Sequence, residues 1–302
     1  MATAQFGRVI TAMITPFTED GAVDYESAVA LAKHLVAHGS EGLLVGGTTG
    51  EGATMTAEEK LKLYTLIVDA VGKRGEGKKV PVMGNIGTIS TADTIAFGNK
   101  TKETGIDCAL VIVPFYVKPN QEGMYQHFTA VAKGVDLPLV LYNVPGRTGV
   151  SIQPETIKRI VDECPNVVGI KDATGSWDQV TKEKALLPED FMIYSGDDAF
   201  TLPVLLAGGV GIISVSAHVI GDDMLAMVDA FEKGDLAKAR ELHLKMYEIN
   251  KGMFFTASPT PVKTATNLVG QPGGHFRLPM VEPTEAEKAK VCQMLENYGG
   301  LL

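Results

Sequence analysis

An amine within an apolar run is the residue of this sequence best suited to chemistry. Lys171 lies in the stretch 167–175, VVGIKDATG, which has the composition of a buried strand. Burying an unpaired ammonium is costly in free energy. Two interpretations follow: Asp172 or another carboxylate neutralises the charge, or the amine is kept uncharged. A desolvated lysine has a lowered pKa and attacks carbonyl carbons to form Schiff bases.

Hydroxyl, phenol and guanidinium groups follow other apolar runs of the chain. They are Thr48 and Thr49 in GGTTGEG, Tyr116 in PFY, and Tyr142 and Arg147 in YNVPGRTG. Schiff-base formation needs proton transfers, for which Tyr142 is the candidate if the ammonium lowers its pKa, with Thr48 passing the proton to Tyr116. Arg147 has the planar fork that binds carboxylates, and Thr49 in its Gly-rich turn would hold a second carboxylate.

Taken singly, each of these residues also has a structural explanation. Tyr142 fits an ordinary strand end, and Arg147 fits a surface charge. GGTTGEG fits a tight turn, because the Lys-Ser/Thr pair of a phosphate-binding loop does not follow it. The functional interpretation therefore depends on the convergence of these side chains at one place.

Metal-binding patterns are weak in this sequence. His34 and His38 have the spacing of two metal ligands on a helix, but they lie in a helical pattern rich in alanine and leucine. The pairs Asp197–Asp198 and Asp222–Asp223 are explained by helix N-capping. We therefore predict neither a metal ion nor a cofactor.

The elements that position these residues follow from an alternation of apolar runs and helical patterns. Eight runs, bounded mostly by Gly or Pro, predict strands: VITAMITP, GLLVGG, VPVMGNI, CALVIVP, LPLVLYNVP, VVGIKDA, FMIYSGD and GVGIISVS. The predicted fold class is α/β, a (β/α)8 TIM barrel over residues 1–220, and an open doubly wound sheet is the alternative. Residues 221–302 predict a C-terminal helical extension packed on the barrel. Since the carboxyl ends of barrel strands face the active site, the side chains named above would meet there.

Three helix boundaries are predicted from local signals. Thr56 and Glu59 have the spacing of a capping box, and Pro154 fits the first turn of a helix. Gly39 ends the first helical pattern, where glycine is favoured.

The composition excludes several classes of function. The chain has 302 residues and a formal net charge of −9, so it has no electrostatic attraction for nucleic acid or anionic membranes. No apolar run reaches the roughly 20 residues that span a bilayer. The cysteines, Cys108, Cys164 and Cys292, are odd in number and widely spaced, which is typical of reduced thiols in a cytoplasmic protein.

Four motifs, in this order and spacing, resemble the dihydrodipicolinate synthase family. They are GTTGE (47–51), YNVPGRTG (142–149), GIKDATG (169–175) and SGDD (195–198). The resemblance covers essentially the whole chain. It implies that pyruvate forms a Schiff base with Lys171 and that the resulting enamine adds to L-aspartate 4-semialdehyde, after which the product cyclises with loss of water.

The resemblance also implies a role for each candidate residue. Tyr142, Thr48 and Tyr116 match the family's proton relay, and Tyr116 would reach the site of a neighbouring subunit in a homotetramer built from dimers. Thr48 and Thr49 match the residues that hold the carboxylate of pyruvate. Arg147 matches the residue that holds the carboxylate of the aldehyde. The remaining matches, which line the pyruvate pocket, are Gly196 and Ile213.

Two other functions remain open at this point. GTTGE and the lysine of the sixth predicted strand also mark a wider superfamily of pyruvate-dependent aldolases, so a lyase of a 2-keto-3-deoxy sugar acid or of sialic acid is the first alternative. Arg147 favours the synthase, because a polyol substrate calls for hydroxyl-binding groups instead. A catalytically silent homologue that binds a keto acid is the second alternative, and the complete relay argues against it.

One departure from the family concerns feedback inhibition by lysine. Lysine-sensitive members offer Ser, His, Asn, Glu and Tyr at an inhibitor site between subunits. The corresponding residues here are Gly52, Ala57, Lys60, Ile89, Asp93 and Phe115. The like charge of Lys60 opposes the binding of a cationic ligand. We therefore predict weak sensitivity to lysine or none.

Overall fold

Eight short parallel strands, each hydrogen-bonded to the next along the chain, close into a barrel in the computed structural model, which describes residues 3–75 and 77–302. The strands are β1 (Val9–Ala12), β2 (Gly42–Val45), β3 (Val82–Asn85), β4 (Cys108–Ile112), β5 (Leu139–Asn143), β6 (Val167–Asp172), β7 (Met192–Ser195) and β8 (Gly211–Ser214). The register of β1 against β8 pairs Ile10 with Ile213. This closure confirms the predicted (β/α)8 barrel and excludes the open sheet.

Helices alternate with the strands and then continue beyond the last one. They are α1 (Tyr25–Ala37), α2 (Ala57–Val71), α3 (Thr91–Lys102), α4 (Gln121–Gly134), α5 (Pro145–Thr148), α6 (Pro154–Glu163), α7 (Trp177–Leu186), α8 (Thr201–Leu206), α9 (Ala217–Glu232), α10 (Leu236–Gly252), α11 (Thr260–Leu268) and α12 (Glu285–Tyr298). Short 3-10 helices cover Gly52–Thr54 and Asp198–Phe200.

The predicted helix boundaries are confirmed. At the start of α2 the backbone N–H of Glu59 donates to the Thr56 hydroxyl (3.1 Å), and the N–H of Thr56 donates to the Glu59 carboxylate (2.9 Å). Pro154 is the first residue of α6. Gly39 follows the last turn of α1 with a φ of 86°, a conformation that glycine adopts without strain.

Alternate residues of each strand face two separate apolar layers. Val9 and Leu43 belong to the layer between the barrel and its helices, whereas Ile10 and Leu44 belong to the layer inside the barrel. Since successive strand side chains point to opposite faces, this alternation also decides where Lys171 points. Its predecessor Ile170 lies in the outer layer, so Lys171 faces the interior.

The C-terminal helices pack beside the barrel. Helix α9 contacts β1 and packs along α10, and α12 packs on α10 and α11. Helix α9 is kinked at Ile220, where φ is −131° and ψ is 29°. The division into 1–220 and 221–302 stays a prediction. Within the described residues, no helix combines the length and the apolar character that crossing a membrane requires.

Candidate active site

Lys171 is a buried amine inside the barrel, near the carboxyl end of β6. The strand register places it beside Tyr142 of β5 and Tyr194 of β7. Its side chain is 5% exposed, and Nζ lies 4.5 Å from the centroid of the Tyr142 ring. Burial lowers the pKa of Lys171 to about 8, against the opposing influence of the Asp198 carboxylate. About a tenth of the amine is therefore neutral at pH 7.

Asp172 does not neutralise this amine. It follows Lys171 on the strand and points to the opposite face, towards α7, where it accepts a hydrogen bond from the N–H of Thr174 (3.0 Å) and lies against the carboxyl of Glu183. Within residues 3–75 and 77–302, Lys171 has no carboxylate oxygen within 4.0 Å of Nζ. The ion-pair interpretation with Asp172 is wrong, because strand alternation separates the two side chains.

The carboxylate that acts on Lys171 is Asp198, which the sequence interpretation assigned to N-capping. Asp198 is 1% exposed and accepts hydrogen bonds from the N–H groups of Val215 (3.0 Å) and Ser216 (3.4 Å) and from the Ser214 hydroxyl. Burial raises its pKa to about 6. Asp198 thus joins the ends of β7 and β8 and places a negative charge near the amine. Its position in SGDD, directly after a strand end, was the available signal.

The other aspartates of the two acidic pairs have different positions. Asp197 does cap the short helix Asp198–Phe200, because its carboxylate accepts from the N–H of Ala199 (2.9 Å). Asp222 and Asp223 instead follow the kink of α9 at Ile220, where Asp222 pairs with His38 at the end of α1 and Asp223 pairs with Lys245 of α10. N-capping is therefore the wrong explanation for the second pair.

Tyr142 is a protonated phenol next to the amine. It is 6% exposed, and this burial raises its pKa. The charge of Arg147 and a hydrogen-bonding interaction with the side chain of Thr48 oppose that shift. The predicted lowering of the Tyr142 pKa is wrong, since desolvation outweighs the nearby charges. A neutral phenol in this position can donate a proton to a reacting oxygen.

The GGTTGEG turn presents Thr48 and Thr49 at the end of β2. Its backbone folds back on itself, because Glu51 N–H donates to the carbonyl of Thr48 (3.0 Å). The hydroxyl of Thr15 donates to the carbonyl of Gly50 (2.7 Å) and connects the turn to the segment that follows β1. Thr49 is 5% exposed, whereas Thr48 is partly exposed and interacts with Tyr142.

Arg147 lies on the short helix α5 directly after β5. Its side chain is exposed, and its charge influences the pKa of both Lys171 and Tyr142. In the described part of the chain it forms no salt bridge within 4.0 Å. The guanidinium is therefore free to bind an anionic group that enters above the amine.

Gly196 and Ile213 lie at the ends of the neighbouring strands β7 and β8. The N–H of Gly196 donates to the carbonyl of Asp172 (2.6 Å), and a Cβ at this glycine would lie 2.6 Å from that of Ala173. Ile213 is 1% exposed and belongs to the interior layer of the barrel. The strand order thus places both residues on the same side of the barrel mouth as Lys171.

Tyr116 stands apart from these residues in the single chain. It follows β4 with a φ of 65° and is 86% exposed. A non-glycine residue with this backbone conformation is uncommon and is found where the surroundings or a function require it. One chain therefore does not bring this phenol to Thr48, and its part in a proton relay stays a prediction.

A closed (β/α)8 barrel whose sixth strand presents to the interior a desolvated lysine, unpaired among the described residues, defines an enzyme of the Schiff-base-forming aldolase type. The sequence model of the Dihydrodipicolinate synthetase family matches residues 5–298. The chain belongs to this family.

Relatives of similar length agree with the assignment. A protein of Heliobacterium modesticaldum named 4-hydroxy-tetrahydrodipicolinate synthase is 48% identical over 98% of this chain and 96% of its own length. The protein of the same name from Desulforamulus reducens is 44% identical over 98% of this chain and 99% of its own.

Solved structures have the same fold over the whole chain. The dihydrodipicolinate synthase of Cyanidioschyzon merolae, crystallised with lysine bound, is 40% identical, with a TM-score of 0.94 over 98% of this chain and 99% of that one. The Thermotoga maritima enzyme is 38% identical, with a TM-score of 0.93 over 98% and 99% of the two chains.

Proposed function

We propose that this chain is a 4-hydroxy-tetrahydrodipicolinate synthase, which condenses pyruvate with L-aspartate 4-semialdehyde. The observation that carries the proposal is the buried amine of Lys171, which has no carboxylate partner in the described residues and lies 4.5 Å from the ring of Tyr142. The family assignment and the names of the relatives support the particular substrates.

The reaction begins with the neutral amine. Lys171 Nζ attacks the keto carbon of pyruvate, and the carbinolamine loses its hydroxyl as water after Tyr142 donates a proton to it. Loss of a proton from the methyl carbon of the imine yields an enamine. That carbon then forms a bond to the aldehyde carbon of the second substrate. The amino group of the second substrate displaces Lys171 and closes the ring, so the net loss is one molecule of water.

Carboxylate recognition divides between the two sides of the mouth. Thr48 and Thr49, in a turn rich in backbone N–H groups, hold the carboxylate of pyruvate. Arg147 holds the carboxylate of the aldehyde, since its fork is exposed and unpaired in the described chain. Gly196 and Ile213 line the pocket for the pyruvate carbon chain.

The proton relay is completed by a second subunit. Tyr142 transfers protons to Thr48, and the partner's Tyr116 transfers them from Thr48 to water. This arrangement accounts for the 86% exposure and the positive φ of Tyr116, and for the 60% exposure of Val117 beside it. A dimer is then the minimal active unit, and we propose a homotetramer of two such dimers.

Turnover with two substrate classes tests the function. We expect product formation from pyruvate and L-aspartate 4-semialdehyde and no cleavage of 2-keto-3-deoxy sugar acids or sialic acid. Lys171→Met should abolish turnover while the circular dichroism of the folded protein stays unchanged. Faster cleavage of a sugar acid than condensation would assign the chain to the alternative lyase activity, and no turnover of either class in the wild type would indicate a silent homologue.

Regulation by lysine is weak or absent in this proposal. Ile89 is 44% exposed and apolar where a ligand donor is needed. The amine of Lys60 lies 4.6 Å from the centroid of the Phe97 ring and adds like charge to the site. Steady-state rates should stay unchanged in sub-millimolar lysine, and inhibition in that range would contradict the proposal.

We propose a cytoplasmic location because the three cysteine thiols are free. Cys108, Cys164 and Cys292 are all free, and the first two are buried. A protein of an oxidising compartment would be expected to pair its cysteines or to lack them.

A further inference from the structure

The turn that carries Thr48 and Thr49 ends at a residue with an unusual conformation. Glu51 has a φ of 51° and a ψ of 28°, in the left-handed region, and is 4% exposed. A glycine would adopt this conformation without strain, whereas a side chain costs free energy there. The presence of a side chain in spite of this cost indicates that the carboxylate of Glu51 is needed at this position.

The carboxylate of Glu51 forms a buried ion pair with the C-terminal helices. Lys263 of α11 donates from Nζ to Glu51 Oε1 at 2.7 Å, and the two side chains are 0% and 1% exposed. The rings of Phe17 and Phe276 enclose the ammonium, with centroids at 4.6 and 5.0 Å. The pair joins residues that are 212 positions apart in the chain.

Arg277 forms hydrogen bonds with the segment that follows the turn. Its backbone N–H donates to Glu51 Oε2 at 3.3 Å. Its guanidinium donates to both carboxylate oxygens of Glu59, at 2.7 and 2.9 Å, and to the carbonyl of Thr54 at 3.1 Å. The stretch from residue 51 to residue 59 is thus held at both ends by residues beyond the barrel strands.

Stability alone does not account for the ion pair. Apolar side chains of similar volume in place of a buried ion pair are commonly as stabilising or more so, because both charges must be desolvated. What the pair adds is a fixed distance and direction between two elements. Here the fixed element is the turn that carries the buried Thr49 and carries Thr48, whose side chain interacts with Tyr142.

We propose that Glu51 and Lys263 are positioning residues for the active site, through which the C-terminal helices hold Thr48 and Thr49 in the geometry that binds the carboxylate of a 2-keto acid. This inference rests on the proposed function, since it takes pyruvate as the ligand of the turn. Neither residue touches the substrate in this account.

The test uses a double variant, Glu51→Gln with Lys263→Met. Gln keeps an acceptor for Arg277, and Met matches the length of the lysine stem, so neither charge is left unpaired. The measurement is the pyruvate concentration that half-saturates borohydride trapping at Lys171, followed by intact mass, together with the melting temperature. We expect the double variant to fold and its half-saturating concentration to rise about tenfold or more, because small misplacements of binding groups are costly.

The matched control is Arg8→Met at the opposite end of the barrel. Arg8 is a partly buried cation that is paired with Glu41, Asp229 and Glu232 and precedes the first strand. Its loss should lower the melting temperature and leave half-saturation within about twofold of the wild type, since it does not contact the turn.

Each outcome of the test is decisive. A folded double variant with the half-saturation of the wild type overturns the inference. If the double variant does not fold, Lys263→Arg replaces it, because this variant keeps the charge but alters the contact with Glu51; unchanged half-saturation in that variant overturns the inference equally. Failure of the wild type to trap pyruvate would instead overturn the proposed function.

Discussion

Replacement of Asp198 by asparagine should shift the pH dependence of catalysis downward. The carboxylate of Asp198 raises the pKa of Lys171, while burial lowers it to about 8. The asparagine carbonyl can accept from the N–H of Val215, and its amide can donate to the Ser214 hydroxyl, so the contacts between β7 and β8 are retained. The variant therefore removes a charge and little else.

The magnitude follows from the neutral fraction of Lys171. A pKa of about 8 lies about 2.5 units below that of an ordinary lysine, which is a factor of about 300 in neutral amine near pH 7 and about 3 kcal/mol. The rate of attack on pyruvate should rise about tenfold per pH unit below 8 and level off above it. Removal of the nearby negative charge lowers the pKa further, so the half-maximal pH of the variant lies below that of the wild type.

The assay is kcat/KM for pyruvate across about pH 5 to 10. Because the pKa of Asp198 is about 6, its carboxylate becomes neutral below that pH. The charge next to Lys171 is then the same in the wild type and in the variant, so the electrostatic effect of the substitution should disappear in acid. A wild-type profile that still rises at pH 10 would refute the desolvation of Lys171. A variant midpoint above that of the wild type would refute the role of Asp198.

Three further outcomes are expected. Tyr142→Phe should lower kcat by about 10²- to 10⁴-fold with little change in the KM for pyruvate, because a general acid is lost and the ring is kept; an equal kcat would remove this phenol from the mechanism. Arg147→Ala should raise the KM for the aldehyde substrate about tenfold or more and change the half-saturation of pyruvate trapping much less, since its fork binds the second substrate and only its charge acts on the pKa of Lys171; an equal effect on both would contradict that division. Glu183 and Asp172 are buried together, and burial raises the pKa of both. The neutral form of Glu183 stabilises the fold fully below its unfolded pKa, and this contribution is lost as pH rises through the higher folded pKa. Glu183→Gln should therefore gain unfolding free energy relative to the wild type, measured by urea denaturation, as the pH rises above the ordinary glutamate pKa of 4.5, and a difference that stays constant with pH would refute the buried proton.

The barrel was predictable from the sequence because its strands are uniform. Each strand is buried on both faces, so each appears as a continuous apolar run between Gly or Pro residues, and all eight runs contain an observed strand. Local signals such as the Thr56–Glu59 capping box depend on neighbouring residues only and were equally visible.

Interactions between distant residues were not visible in the sequence. The charge that acts on Lys171 belongs to Asp198, and Glu51 meets Lys263 only because the C-terminal helices return to the barrel mouth. The sign of the Tyr142 pKa shift was missed for a related reason. The burial of Tyr142 depends on the packing of the whole barrel. The charge of a neighbouring lysine, by contrast, could be predicted from the sequence.

Strand geometry alone separates Asp172 from Lys171. Adjacent residues of a strand face opposite sides, so an ion pair between Lys171 and Asp172 conflicts with the strand that both were predicted to occupy. The role of Tyr116, in contrast, does not follow from the geometry of one chain. Its side chain is exposed there, and its proposed role requires an assembly of several chains.

The role of Lys171 as the nucleophile is tested most directly by borohydride reduction in the presence of pyruvate, followed by intact mass and peptide mapping. Reduction converts an imine into a stable amine, so the adduct marks the nucleophile. We expect a single adduct on the peptide that contains Lys171, and none in the Lys171→Met variant. A folded wild-type protein that forms no adduct, or forms it on another lysine, would contradict the central claim that this buried amine is the catalytic nucleophile.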